Sequence, residues 1–256
     1  MNFEEIKKYW NSRAASDSTA QATTQDVYLR QIEATTLVRH ISGLNGIHIG
    51  DFGCGDGRTT IQVAAQCPGR TFVGLDYSDA MIANARSITL EQGNPAAAFE
   101  VHDVLQPTKE KFDIIYTTRC LINLPSFELQ SQALQNIHGA LNSGGHYLMI
   151  ENFIDGQNNF NQLRKQFGLS EIPVRPHNLF FDKTELLKSI RRMFSVVAEE
   201  NISSLYYIVS RIIYAKICHE QKLPVSYFDD HHRFASGLPF LGDYGPVKLV
   251  VLQKLL

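Results

Sequence analysis

No stretch of the chain approaches the roughly 18 consecutive apolar residues of a membrane-spanning helix. The opening "MNFEEIKKYW" is acidic and polar, which predicts no secretory leader and a cytoplasmic location. Cysteine is scarce: Cys54, Cys67, Cys120 and Cys218 are widely spaced and form no C-x-x-C pair. That spacing argues against a disulfide framework and a zinc site, and predicts reduced thiols and no metal. An excess of one charge is also missing. Lys and Arg number 24 against 26 Asp and Glu, a net charge of −2, so no global basic field draws in a polyanion and no nucleic-acid partner is expected. There is no internal repeat and no low-complexity tract.

What remains is an ordinary globular composition, 44% hydrophobic and 20% charged over 256 residues, enough for one elaborated domain. From residue 47 short apolar runs alternate with helical patterns. The runs "IHIGDF" (47–52), "TFVGLD" (71–76), "AFEVHD" (98–103), "FDIIYT" (112–117) and "HYLMIE" (146–151) read as strands. Amphipathic segments near 58–66, 79–92 and 127–141 read as helices, with Ser78 as an N-cap and Asp79 at the positive end of the dipole. The alternation implies right-handed crossovers and a largely parallel sheet. Residues 25–41 predict a helix before the sheet. After it come "FSVVAE" (194–199) as a strand, 203–220 as one long helix, and "VKLVVLQK" (247–254) as a last strand. A core of about 44–151 plus the last strands follows, with 1–43, 155–192 and 201–246 as additions covering it.

The turn "DFGCGDG" (51–57) follows the first strand. A glycine turn running into a helix puts bare backbone amides at the carboxyl edge of the sheet, where open α/β sheets bind ligands. A tight structural corner, a nicotinamide or flavin site, and a site for another nucleoside-bearing ligand all begin this way. The dinucleotide pattern G-x-G-x-x-G needs glycine at 58, and Arg58 stands there. The second strand ends in Asp76, placed to accept hydrogen bonds from two ribose hydroxyls. The third ends in Asp103, suited to an exocyclic amine, with the Val104 amide facing a ring nitrogen. Met81 is a soft apolar surface for an adenine face. These positions describe an adenosine without a pyrophosphate.

"IGDFGCGDGRTT", "FVGLDYSDAMIANAR", "FEVHDV" and "FDIIYTTRCLINL" resemble successive motifs of the class I S-adenosylmethionine-dependent methyltransferases. The resemblance covers about 45–151. It implies a Rossmann-like seven-stranded α/β sheet of order 3-2-1-4-5-7-6 with strand 7 antiparallel. The chain then divides into an N-terminal helical cap (1–43), a cofactor-binding core (44–154), and cap insertions carrying strands 6 and 7 (155–256). By the same resemblance Asp51, Gly53, Cys54, Gly55 and Gly57 would frame the methionyl part of S-adenosylmethionine. Asp76 would hold the ribose, with Tyr77 also at the cofactor, Asp103 and Val104 the adenine edge, and Arg119 with "CLINL" would sit beside the sulfonium; S-adenosylhomocysteine would be the product. The family often carries a histidine where this chain has Asn123.

The acceptor must be read from the added segments. Arg175 and His177 lie in the proline-punctuated "EIPVRPHNLFF" (171–181), and Tyr207 and Arg211 stand i, i+4 on the predicted long helix. Arginines, a histidine and tyrosines at one mouth suit a small anionic or hydroxyl-rich acceptor. His177 is the first candidate general base and the adjacent His231 and His232 are weaker ones, whereas an anionic oxygen would need only clamps such as Arg175 and Arg211. The C-terminal half, from "IENF" to "GDYGPVKLVVLQK", is diffusely similar to methyltransferases of bacterial surface-polysaccharide biosynthesis. This implies O-methylation of a sugar, a nucleotide-sugar or a phosphorylated or phosphoramidate precursor. N- or C-methylation and a non-catalytic cofactor-binding scaffold stand as alternatives, with a nicotinamide oxidoreductase behind them. Oligomeric state is not readable.

Overall fold

The computed structural model describes residues 1–16, 26–93 and 96–255. Helix α1 (Phe3–Ser16) begins with a reciprocal capping pair: Asn2 Oδ1 accepts from the Glu5 amide at 2.9 Å and Glu5 Oε2 from the Asn2 amide at 2.8 Å. Helix α2 (Val27–Gly43) is capped by Asp26, whose Oδ1 accepts from the Leu29 amide at 3.0 Å. The alternation expected from the sequence follows: β1 (His48–Phe52), α3 (Arg58–Gln66), β2 (Thr71–Asp76), α4 (Asp79–Gln92), β3 (Ala97–Val101) and β4 (Phe112–Thr118). Next come α5 (Phe127–Ala140), β5 (Leu141–Asn152), α6 (Ile154–Gln166), α7 (Lys183–Ile190) and β6 (Phe194–Asn201). Ser78 caps α4 by accepting from the Met81 amide at 3.3 Å.

The expected single helix over 203–220 is three pieces: α8 (Ser204–Tyr207), a π-helical segment (Ile208–Ile213) and α9 (Tyr214–Gln221). Two side chains take carbonyls out of the regular ladder there. The Ser210 hydroxyl donates back to the Tyr206 carbonyl, and the Arg164 guanidinium donates to the Arg211 carbonyl. His231 and His232 lie in the first turn of helix α10 (Asp230–Ser236), whose N-cap is Asp229. β7 (Val247–Lys254) closes the chain.

The strands form one sheet of order β3-β2-β1-β4-β5-β7-β6, parallel except for β7, which pairs antiparallel with both β5 and β6. This is the Rossmann-like order expected from the sequence. One apolar layer places Leu37, Ile41, Ile61 and Ile82 of α2, α3 and α4 against Ile49, Phe72 and Phe99. The opposite layer places Ala133, Leu134 and Ile137 of α5 and Leu186 and Ile190 of α7 against Phe52, Ile115 and Tyr147. A third, small cluster of Phe160, Leu169 and Ile212 joins α6 to the π-helical segment and gives the added region a core of its own. The strand order reverses between β1 and β4, so the crevice of an open α/β sheet falls at their carboxyl ends. Among the described residues no helix is long and apolar enough to cross a membrane.

Candidate active site

A cavity of about 440 Å³ opens at that reversal point, within the size range of small-molecule sites. Gly53, Cys54, Gly55 and Asp56 of the glycine turn line one half, with Asp76, Tyr77 and Met81 beside them. Gly53, Gly55 and Gly57 have φ of 79°, 54° and 72°, a region that costs other residues strain. The turn spends its amides internally: Gly53 and Cys54 donate to the Leu75 carbonyl at 2.7 and 3.0 Å, and Gly57 to Cys54 at 3.1 Å. Gly55 donates to Asp76 Oδ2 at 2.9 Å, and Ser78 to Asp76 Oδ1 at 2.9 Å. The turn therefore supplies room, where the sequence pattern suggested bare donors. Burial drives the Asp76 carboxyl up to about 6, against the pull of those two amides.

Asp51 lies under the turn, fully buried, accepting from Thr60 Oγ1 at 2.6 Å, and burial pushes its carboxyl up to about 7. Gly57 and Asp51 stand beneath the cavity rather than on its wall. Asp103 and Val104 do not line it either. Asp103 Oδ2 faces Lys7 Nζ of α1 at 3.2 Å and its Oδ1 accepts from the Leu105 amide at 3.0 Å, while the same ammonium stands 5.4 Å from the Tyr77 ring centre. Burial raises both Cys54 and Cys120, so these thiols are protonated and poor nucleophiles.

The turn after β4 forms the next wall. Arg119 holds φ 52°, and its guanidinium forms a two-point ion pair with Glu33 of α2, Nε to Oε1 at 2.6 Å and a terminal nitrogen to Oε2 at 3.0 Å. Burial opposes the Arg119 charge, but Glu33 at this range holds the guanidinium above its ordinary value. Asn123 was marked in the sequence only by the absence of a histidine, and here it acts as a clasp. Its Nδ2 donates to the Arg119 and Cys120 carbonyls at 2.9 and 3.2 Å. Its Oδ1 accepts from Trp10 Nε1 at 3.2 Å and Asn178 Nδ2 at 3.3 Å. One side chain thus ties α1 and the 172–180 loop to the β4 turn. Because Trp10 is the one tryptophan of the sequence, Asn123→Ala is expected to shift intrinsic fluorescence to longer wavelength with unchanged far-UV circular dichroism. An unshifted emission maximum would rule the clasp out.

All four acceptor-side residues expected from the sequence line the other half of the cavity: Arg175, His177, Tyr207 and Arg211. His177 stacks on Tyr9 (4.7 Å between ring centres) and meets Trp10 edge-on at 5.9 Å. Burial, and then Arg175, lower its pKa, so its imidazole is neutral at pH 7. Arg211 lies 4.3 Å from the Tyr207 ring centre and is ion-paired with Asp26, which also accepts from the Tyr206 hydroxyl at 2.6 Å. Arg175 is exposed, and among the described residues its guanidinium has no hydrogen-bond or ion-pair partner. His231 stacks on Tyr214 at the surface and His232 is buried against Asp229, neither on the cavity wall. Among the described residues no three His, Cys, Asp or Glu side chains group to hold a metal ion.

Two residues escaped the sequence reading. Glu151, fully buried at the end of β5, accepts from the amides of Cys120, Leu121 and Ile122 at 3.1, 3.0 and 3.3 Å. Asn152 beside it lines the cavity, and its Oδ1 is buried with no hydrogen-bond partner. The signal was an acid and an amide ending an otherwise apolar strand, "HYLMIEN".

Residues 51–147 match the family profile described as a methyltransferase domain. A trans-aconitate 2-methyltransferase of Variovorax paradoxus (strain S110) is 35% identical over 97 residues, covering 37% of this chain and 34% of that protein. One of Deinococcus radiodurans is 40% identical over 75 residues, 29% of this chain and 27% of the relative. The chain thus spans about a third or less of the length of the curated relatives it matches. Among solved structures, magnesium protoporphyrin IX methyltransferase from Synechocystis PCC 6803, with bound S-adenosylhomocysteine, superposes with a TM-score of 0.63 at 16% identity over 98% of both chains. N-methyltransferase NodS from Bradyrhizobium japonicum WM9, also bound to S-adenosylhomocysteine, gives 0.57 at 14% identity, over 98% of this chain and 97% of that one. The cyclase SpnF gives 0.61 at 18% identity, over 98% of this chain and 93% of that one. The likeness to these structures establishes the fold alone.

Proposed function

We propose, on the premise that residues 51–147 are a class I S-adenosylmethionine-dependent methyltransferase domain, that the protein methylates an oxygen of a small anionic or hydroxyl-rich acceptor. The observation that carries this reading is the division of the cavity. One half is bare glycine backbone with Asp76 and Met81. The other is aromatic and cationic, and each carboxylate there is taken by an arginine: Asp26 by Arg211 and Glu33 by Arg119.

The residues fit the cofactor, because Gly53, Cys54, Gly55, Asp76 and Met81 line one cavity together with Asn152, whose buried Oδ1 has no hydrogen-bond partner. In this proposal Gly53, Cys54 and Gly55 bound the methionyl part, with Asp51 and Gly57 supporting them from below and Arg119 beside them. Asp76 and Tyr77 hold the ribose and Met81 the adenine. Asp103 and Val104 meet the adenine edge once Lys7 turns aside. When bound, S-adenosylmethionine supplies an electrophilic methyl group on a sulfonium and leaves as S-adenosylhomocysteine. In-line transfer then needs alignment and dryness more than covalent help. The α1 helix and the 172–180 loop, clasped by Asn123, exclude water. Arg175 attracts the acceptor's negative charge at the mouth. Arg211 is already neutralised by Asp26 and braces Tyr207. His177, neutral at pH 7, takes the proton of a hydroxyl acceptor.

The name of the trans-aconitate 2-methyltransferase relatives supports a small organic acid as the acceptor. The C-terminal sequence supports the narrower alternative, a sugar or phosphorylated precursor of a surface polysaccharide. Calorimetric titration with S-adenosylhomocysteine tests the cofactor, and absence of binding overturns the reading. Labelled-methyl transfer to carboxylic acids and to sugar phosphates then separates the acceptors. His177→Gln is expected to lower kcat on hydroxyl acceptors by about 10² to 10⁴, with cofactor affinity unchanged. On a carboxylate acceptor it should change kcat little.

A further inference from the structure

Buried charges in a protein are paired, and breaking a pair is costly. Asp26, Glu33 and Asp56 obey this, each facing an arginine. Asp51, Asp76 and Glu151 do not. They stand at or near the carboxyl ends of β1, β2 and β5, the sheet edge on which the cavity opens, and among the described residues none of the three has an ion-pair partner. Asp51 rests on a threonine hydroxyl and Asp76 on two amides. Glu151 is held by three convergent amides of the turn whose Cys120 and Ile122 form the cavity wall. Its carboxylate therefore lies one peptide layer behind that wall, where low polarisability lets a charge act at distance.

We propose that Glu151 is an electrostatic residue of the cofactor site, the buried negative charge that makes the cavity prefer a sulfonium cofactor over its uncharged thioether product. The assignment rests on the cofactor reading above and adds a selectivity to it. A site that favours the cation over the thioether binds donor tightly and lets spent product go. Among the groups around Glu151, Asp51 and Asp76 also change charge near the tested range, but they do so in wild type and variant alike, so the comparison isolates Glu151. Cys120 on the turn and Tyr147 on its own strand are both pushed upward by burial and stay neutral. Lys248, its cross-strand partner on β7, is held by Asp155 and Asp243. Arg119 is held by Glu33. Asp51 and Asp76 complete the ring across the floor. Burial pushes the Glu151 carboxyl up to about 7, above its ordinary value, so its charge is present above that pH and lost below it.

The test compares dissociation constants of S-adenosylmethionine and S-adenosylhomocysteine by calorimetry, from pH 6 to 8.5, for the wild-type chain and Glu151→Gln. At pH 8.5 the variant is expected to lose about tenfold in the preference for S-adenosylmethionine. At pH 6 variant and wild type should converge, because the wild-type carboxyl is then protonated. Equal weakening of both ligands, or a preference that the variant leaves unchanged at pH 8.5, would overturn the assignment and leave Glu151 a purely structural cap. Should the variant fail to fold, carboxyl ¹³C NMR of the wild-type chain decides. S-Adenosylmethionine must depress the Glu151 titration further than S-adenosylhomocysteine does, and equal depression overturns it. If neither ligand binds the wild type, the cofactor reading itself has failed.

Discussion

Gly57→Ala is expected to destabilise the protein by about 2–5 kcal/mol, the sum of two effects. The φ of 72° puts a β-carbon in the left-handed region, at a cost of about 1–2 kcal/mol. That carbon would also stand 2.6 Å from the Phe99 ring and 2.7 Å from Ala85 Cβ. Phe99 has nowhere to retreat, because it already packs over Gly74, where an added β-carbon would sit 2.5 Å from the same ring. Overpacking of this kind costs about 1–3 kcal/mol. Gly69→Ala separates the two effects. Gly69 has a similar φ of 79° with nothing within 4 Å of its missing β-carbon, so it should show the conformational cost alone. For a chain of this size each kcal/mol moves Tm by about 2–4 °C. Differential scanning calorimetry should therefore rank wild type above Gly69→Ala and Gly69→Ala above Gly57→Ala. Equal melting of the two variants would mean that Phe99 yields and the close approach is unimportant.

That example shows what kind of information the sequence carried. The glycine spacing was visible in it, and so was the strand alternation that put Asp51, Asp76 and Asp103 at consecutive strand ends. Both are local patterns: period-two apolar runs, turn residues and a capping serine. The sheet order came from the family resemblance and agrees with the pairing found. Contacts between remote segments were not legible. The Lys7–Asp103 pair joins residues 96 positions apart, and the Trp10–Asn123 bond joins residues 113 apart. Each depends on where a surface helix comes to rest, which no window of the sequence encodes. Arg211 was legible as a partner of Tyr207 through its i, i+4 spacing, and the two do stack. Its neutralisation by Asp26, 185 positions away, was not, and it turns an apparent anion clamp into a brace. The π-helical segment was hidden for the same reason, since Arg164 draws off the Arg211 carbonyl from another helix.

Asp76→Ala should produce the largest loss of cofactor affinity. Hydrogen bonds to a charged group contribute about 1.5–3 kcal/mol each. Two ribose hydroxyls on this carboxylate therefore amount to about 3–6 kcal/mol, or about 10² to 10⁴-fold in Kd. The effect on folding should be small by comparison, because two terms oppose. Removing the side chain strands the Gly55 and Ser78 amides, which now donate to it at 2.9 Å. It also removes a buried carboxyl with no basic partner, whose ionisation burial already resists up to about pH 6. Because that pKa is raised by folding, the wild-type carboxyl contributes stability when protonated, loses it progressively as pH rises from the ordinary carboxylate range toward about 6, and carries its full cost above that. Asp76→Ala should therefore melt closer to wild type at pH 8 than at pH 5, while its S-adenosylhomocysteine affinity is lost at pH 8. Asp76→Asn keeps the shape but lowers both the charge and the accepting capacity, and should fall between wild type and alanine in affinity. A variant that melts like wild type and still binds S-adenosylhomocysteine with wild-type affinity would remove Asp76 from the cofactor site.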